Sequence, residues 1–271
     1  MPALTFGDFF VHCEAPEAPR YRAAILVLPG LFQSFACWRP ITAMLAHRGW
    51  EVYCLTRTMP DRSGKPHLLD ETWEQARARI AQVGARLGGP VVVLASDLGA
   101  ALALSVAGQL PILALALFSP SDPAALGAAY RRSLRPSGLR GALSGLRRRA
   151  STSRGAQVIA HAALLGPDIG DEDTLPEPAR LLGELSEGEG FVRPDRHPPA
   201  LVFASRSDPL VAEQHALGFA DGACAKASRT RLDGRFFPHT GGAVLADEVQ
   251  RFLILTLGDR VVDFPQDILE E

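Results

Sequence analysis

The chain has 271 residues, with 28 Lys+Arg against 30 Asp+Glu and a formal net charge of −2. Apolar residues make up 47% and charged residues 21%, a balance that argues against a disordered chain and carries no general basic footprint for nucleic acid. No apolar run reaches the roughly 20 residues needed to span a bilayer, so no membrane partner is expected. The N-terminus shows no basic segment followed by an apolar stretch, so a secretory signal is not expected and a cytoplasmic enzyme is. Cys13, Cys37, Cys54 and Cys224 are scattered without a CxxC, which suggests neither a zinc site nor a disulfide framework. The length suits one large α/β domain carrying an insertion.

In chain order, Asp8–Cys13 reads as an early strand, followed by a Pro-rich turn. Ala23–Leu28 (AAILVL) is a buried strand that stops at Pro29-Gly30. Trp38–Arg48 reads as a helix ended by Gly49 as its C′ residue. Glu51–Leu55 is the next strand, and a polar loop with Pro60, Gly64 and Pro66 follows. Thr72–Leu87 is a helix with Trp73, Ile80, Val83 and Leu87 on its apolar stripe and Gly88-Gly89 at its end. Val91–Ala95 is a central strand, Gly99–Gly108 a small-residue helix and Leu113–Phe118 another strand. The pattern breaks between Ser119 and Pro199, where Gly, Pro and charge runs replace clear strands. It returns with strands at Ala200–Ala204 and Arg229–Leu232 and a helix at Val244–Leu257. Alternation of this kind builds a mostly parallel sheet with helices on both faces.

In an open parallel sheet, ligands sit beyond the carboxyl ends of the strands, so the residues just past each strand carry the chemistry. Ala95-Ser96-Asp97-Leu98-Gly99 fits small-x-nucleophile-x-small, the sharp strand-to-helix turn that exposes a nucleophile. Centring the pattern on Ser96 would put Leu94 and Leu98 at the small positions, where they do not fit, so Asp97 is the candidate. An Asp in this place is also an ordinary cap for the next helix. The strand Ala200–Ala204 leads to Asp208, and Arg229–Leu232 leads to His239 in a Gly/Pro-bounded loop. Singly these are a common turn residue and a common loop residue. Together they reproduce the chain order nucleophile, acid, histidine.

Over essentially its full length the sequence resembles the α/β-hydrolase superfamily. The resemblance implies an α/β-hydrolase fold, with a mostly parallel eight-stranded sheet. Its core would comprise residues 1–120 and 199–271, and residues 121–198 would form a helical cap. Leu28-Pro29-Gly30-Leu31-Phe32 looks like that family's oxyanion loop, with Pro29 where His is usual, and the implied oxyanion donors are the backbone N–H groups of Leu31 and Leu98. Asp at the elbow is similar to haloalkane dehalogenases and epoxide hydrolases, which implies Asp97 as nucleophile, Asp208 as orienting acid and His239 as base. Asp122, after the strand Leu113–Phe118, is a rival for the acid, and it also reads as a plain turn with Pro123.

A carboxylate with a reference pKa near 3.9 is ionised at pH 7 and attacks without a base. Attack on an sp3 carbon would leave an alkyl ester on Asp97 for a His239-activated water to hydrolyse, whereas attack on an ester would make a poor anhydride. An epoxide or alkyl halide is therefore the expected electrophile, with no cofactor and no metal. The chain departs from both relatives: Leu98 follows the nucleophile where dehalogenases typically have Trp, and the cap holds Tyr130 where epoxide hydrolases typically use a pair of Tyr. Phe32, Trp38, Tyr130, Phe236 and Phe237 are the expected lining of a pocket for a small, largely apolar substrate. Eight arginines crowd residues 131–154 and eight acids residues 168–189. They are either solvated, mutually attracting faces, or the arginines receive an anionic substrate or an acidic carrier protein that bears the substrate. Two other functions stay open at this level. One is a non-hydrolytic cyclase or isomerase of natural-product biosynthesis, using Asp97 and His239 as an acid–base pair. The other is a catalytically inactive binding protein.

Overall fold

The computed structural model describes residues 3–6, 9–60, 66–133, 179–187, 198–208, 210–224, 227–232 and 241–262. Ten strands are assigned among them: β1 (Ala3–Phe6), β2 (Phe9–Glu14), β3 (Ala24–Leu28), β4 (Val52–Leu55), β5 (Thr58–Pro60), β6 (Pro66–Leu68), β7 (Val91–Ser96), β8 (Ile112–Phe118), β9 (Ala200–Ser205) and β10 (Ala227–Leu232). Seven helices accompany them: α1 (Phe35–His47), α2 (Trp73–Arg86), α3 (Asp97–Val106), α4 (Pro123–Ser133), α5 (Ala179–Glu187), α6 (Glu213–Ala223) and α7 (Gly242–Leu257).

Eight strands form one sheet in the order β1-β2-β4-β3-β7-β8-β9-β10. The β2 strand pairs antiparallel with both β1 and β4, and every other pair is parallel. The eight-stranded, mostly parallel α/β-hydrolase sheet expected from the sequence is therefore present. Its central strands β7 and β9 are buried at every position, which is why they read as unbroken apolar runs. The connection from β3 through α1 to β4 runs one way along the sheet, and that from β7 through α3 to β8 runs the other way. Right-handed crossovers therefore put α1 and α3 on opposite faces. Accordingly α1 packs on α7, while α2 packs on α3.

Local chemistry sets the helix ends. Gly49 has φ +102° and closes α1 as a Schellman turn, with Gly49 N donating to Ala46 O at 2.9 Å and Trp50 N to Leu45 O at 3.1 Å. The α2 helix opens on a reciprocal capping box: Gln75 N donates to Thr72 Oγ1 at 3.2 Å and Thr72 N to Gln75 Oε1 at 2.9 Å. Its first turn also receives a carboxylate from α5, since Trp73 N donates to Glu184 Oε2 at 2.6 Å.

Three expectations need correcting. The first long helix begins at Phe35, not Trp38, because Ser34 caps it by accepting from Ala36 N at 3.0 Å, and Pro40 is carried inside it. Pro40 lies inside the expected helix as well as the observed one and costs it one backbone bond. The polar loop after β4 contains the antiparallel ribbon β5–β6, and β1 pairs with β2 ahead of the first expected strand. Of the expected cap, α4 and α5 pack on each other. Residues 134–178 and 188–197, with most of its charge blocks, lie outside the described residues. No helix among the described residues is long and apolar enough to cross a membrane.

Candidate active site

The sheet order reverses between β3 and β7, which lie side by side in register from Ala24↔Val91 to Leu28↔Ala95. Loops leaving such a pair turn in opposite directions and open a crevice beyond the strand ends. The turn after β3 carries Leu31, and the turn after β7 carries Asp97.

Three non-glycine residues with positive φ occur among the described residues: Phe32 (60°), Asp97 (30°) and Ser119 (47°). Each sits just past the carboxyl end of β3, β7 or β8. Backbone strain of about 1–3 kcal/mol per residue is thus gathered at one end of the sheet, where sites commonly hold it. At Asp97 the strain turns the side chain out of the elbow. Gly99 makes that elbow possible, because a Cβ there would lie 2.1 Å from Leu28 O and 2.7 Å from Pro29 O. At Phe32 it completes a turn closed by Gln33 N donating to Gly30 O at 3.2 Å. That turn aims the Leu31 N–H at the elbow.

The Asp97 carboxylate is 5% exposed and seated asymmetrically. Oδ1 accepts from Leu31 N at 2.7 Å and from Leu98 N, the two donors assigned to the oxyanion hole from sequence. Oδ2 accepts from Ser96 Oγ at 3.1 Å and lies over Gly30, where a Cβ would stand 2.1 Å away. Burial, aided by the nearby Asp208 charge, raises the Asp97 pKa from 3.8 to about 6 against the pull of the two backbone donors and the Ser96 hydroxyl.

Asp208 is held by Ser119 Oγ, which donates to its Oδ2, and by Leu210 N and Val211 N, which donate to Oδ1 at 2.8 and 2.9 Å. Burial also moves this carboxyl upward. Asp122 is engaged elsewhere: its Oδ1 accepts from Ala125 N at 2.8 Å at the start of α4, and its Oδ2 lies 3.2 Å from His215 Nε2 on α6. His239, Phe236 and Phe237 lie outside the described residues. Phe32 and Tyr130 are both buried, with ring centroids 6.2 Å apart. Trp38 is fully buried, edge-on to Phe118 at 5.4 Å, with its indole N–H donating to Gln33 Oε1 at 3.0 Å.

Several supporting residues escaped the sequence reading. Gln33, Ser96 and Ser119 hydrogen-bond within the site, and Arg57 braces it from behind. The Arg57 guanidinium donates to Gly30 O at 3.0 Å and Pro29 O at 2.8 Å, and so fixes the loop that presents Leu31 N. Arg79 holds the neighbouring Thr56 O at 2.7 Å while pairing in two-pronged fashion with buried Glu71 at 2.6 and 2.9 Å. A serine beside a candidate nucleophile was the one available clue. The others act across long stretches of chain.

Comparison with known proteins adds the family: the model of the alpha/beta hydrolase family matches residues 25–262. The chain belongs to the α/β-hydrolase family. Solved α/β-hydrolase-fold structures similar to it include the DBJA mutant dbja delta, at 17% identity and TM-score 0.64 over 94% of this chain and 97% of that one. The monoacylglycerol lipase of Paleococcus ferrophilus matches at 13% identity and TM-score 0.61, over 92% and 100% of the two chains. A mutant of the N-acyl homoserine lactonase AidH matches at 15% identity and TM-score 0.64, over 97% and 98%. At these identities the likeness speaks for the fold alone. No curated protein matches the chain.

Proposed function

We propose that this α/β-hydrolase opens an epoxide or an alkyl halide through a covalent alkyl ester on Asp97. The observation that carries the reading is the seat of Asp97 Oδ1 on the backbone N–H groups of Leu31 and Leu98. In a serine-type hydrolase those donors wait for a carbonyl oxygen of the substrate. Here the enzyme's own carboxylate fills them, so a substrate acyl oxygen has no vacant hole to enter. Once Oδ2 has attacked an sp3 carbon, Oδ1 becomes the ester carbonyl already in place, and water adding at Cγ puts its charge against the same two donors.

In this reading Asp208 orients His239, and His239 activates the water. Asp208 is preferred over Asp122 because it neighbours Asp97 electrostatically, whereas Asp122 is engaged at the start of α4 and with His215. Phe32 and Tyr130 support an apolar substrate, free or tethered to an acidic carrier.

The lipase and the lactonase are named for acyl substrates. Asp97 argues against that chemistry in this chain, since an acyl-aspartate is an anhydride. A second reading draws on the Asp97 pKa of about 6, which suits a group exchanging protons near neutrality in a cyclase or isomerase.

A single turnover of 1-bromohexane and of 1,2-epoxyhexane in oxygen-18 water separates the two. The covalent route leaves the label in the Asp97 carboxylate, read by peptide mass. Product formed over an unlabelled Asp97 overturns it in favour of acid–base chemistry.

A further inference from the structure

We propose that Ser96 is a second catalytic residue of this site, a hydroxyl that protonates the oxygen leaving with the product alcohol when the Asp97 ester is hydrolysed. The proposal rests on the covalent route argued above.

Its footing is a chain of buried hydrogen bonds whose polarity is set from one end. Gln33 Oε1 accepts from Gly30 N at 2.8 Å and from Trp38 Nε1 at 3.0 Å, two groups that can only donate. The amide oxygen therefore faces them, and the amide nitrogen faces Ser96 Oγ at 3.3 Å. Ser96 Oγ thus accepts from Gln33, and its own proton is left for the remaining neighbour, Asp97 Oδ2, at 3.1 Å. Trp38, Gln33, Ser96 and Asp97 are 0, 5, 2 and 5% exposed, so water competes little for these bonds, and each polarises the next.

A second observation points the same way. Ser96 is the N-cap residue of α3, where a serine ordinarily accepts from the backbone of the first turn, yet its side chain makes no capping bond. The hydroxyl is turned to the nucleophile instead.

Oδ1 is held by two backbone donors, so Oδ2 is the oxygen left to carry the alkyl group. Water, deprotonated by the base, adds to Cγ, and the charge collects on Oδ1. Collapse breaks the Cγ–Oδ2 bond, and its electron pair departs with Oδ2 as an alkoxide. Ser96 gives its proton to that alkoxide and takes one from the carboxylic acid just formed on Asp97. Ester and water become alcohol, Asp97 carboxylate and an intact Ser96 hydroxyl, with one proton on the base for release to solvent. The alcohol carries the old Oδ2, and Asp97 keeps the oxygen of water.

The test follows both half-reactions by rapid quench with 1-bromohexane, reading bromide release and the hexyl adduct on the Asp97 peptide. Ser96→Ala is expected to alkylate at no less than a third of the wild-type rate and to hydrolyse the adduct about 100-fold more slowly, so that it accumulates. Ser96→Thr, which keeps a hydroxyl, is expected to restore at least a tenth of the hydrolysis rate. Gln33→Met leaves Ser96 in place but frees its hydroxyl to rotate, and a roughly tenfold slowing confined to hydrolysis is expected; it also serves if Ser96→Ala does not fold. Hydrolysis of the adduct by Ser96→Ala at the wild-type rate overturns the role of Ser96 while leaving the ester route intact. Wild-type turnover with neither adduct nor oxygen-18 on Asp97 overturns the route itself, and the role of Ser96 with it.

Discussion

Replacing Asp97 with Asn is expected to stabilise the fold at neutral pH while abolishing turnover. The carboxyl is driven from 3.8 to about 6 chiefly by burial, so above pH 6 the native state holds an ionised group that the unfolded chain ionises far more easily. At 1.36 kcal/mol per pH unit that difference amounts to about 3 kcal/mol of destabilisation carried by the charge. The sign follows from proton counts. Between about pH 4 and 6 the native state binds more protons than the unfolded one, so wild-type stability falls as pH rises through that window and levels off above it. The substituted amide does not titrate, and its carbonyl oxygen can still accept from Leu31 N and Leu98 N. The advantage of Asp97→Asn over wild type is therefore expected to grow by about 2–3 kcal/mol from pH 4 to pH 7, measured by urea unfolding of both proteins across that range. An advantage that stays constant with pH, or shrinks as pH rises, would refute the argument that a buried charge strains this site. The trade of stability for a poised carboxylate is a usual cost of an active site.

On the proposed ester route the same pKa sets the low-pH limb of activity. Only the ionised carboxylate attacks, so the alkylation rate, read as the halide burst from 1-bromohexane, is expected to fall tenfold per pH unit below about pH 6. A limb centred near pH 4 would show that Asp97 titrates as an unburied group. Two glycines separate scaffold from site. Gly99→Ala drives a Cβ to 2.1 Å from a backbone oxygen and is expected to cost about 3 kcal/mol or more, or to prevent folding. Gly30→Ala meets the Asp97 side chain at 2.1 Å and is expected to lose at least about 100-fold in turnover for a smaller loss in unfolding free energy. Arg57→Met releases the carbonyls of Pro29 and Gly30, and kcat is expected to drop about 10- to 100-fold with less change in KM as the Leu31 N–H loses its aim. Steady-state kinetics on a folded variant checks this, and an unchanged kcat would remove Arg57 from the positioning role.

What the sequence determined by itself is local in origin. The strand-to-helix turn at Asp97 was legible because a sharp elbow demands small residues at fixed offsets, and Ala95 and Gly99 supply them within five residues. The apolar runs of β3, β7 and β9 announced central strands because both faces of a parallel sheet are covered. The candidate donors Leu31 and Leu98 came instead from the resemblance to the α/β-hydrolases, one at the turn after β3 and one beside the candidate nucleophile. Local pattern missed the first turn of α1, whose start is set by one side-chain bond from the Ser34 cap. His239 was named from its place after the strand Arg229–Leu232, and it lies outside the described residues.

The tertiary structure decided what depends on strand order. Asp122 and Asp208 are equivalent as residues following strands, and only the packing shows Asp122 capping its own helix beside His215 while Asp208 sits with Ser119 near Asp97. Gln33 and Ser96 are 63 positions apart, and nothing in either segment foretells their bond. They meet because β3 and β7 are sheet neighbours, which brings the two turns together. The same adjacency sets which oxygen of Asp97 is held by the Leu31 N–H. Residue type and spacing named the candidate nucleophile; the crossing of two loops at the switch in strand order gave its two oxygens different partners.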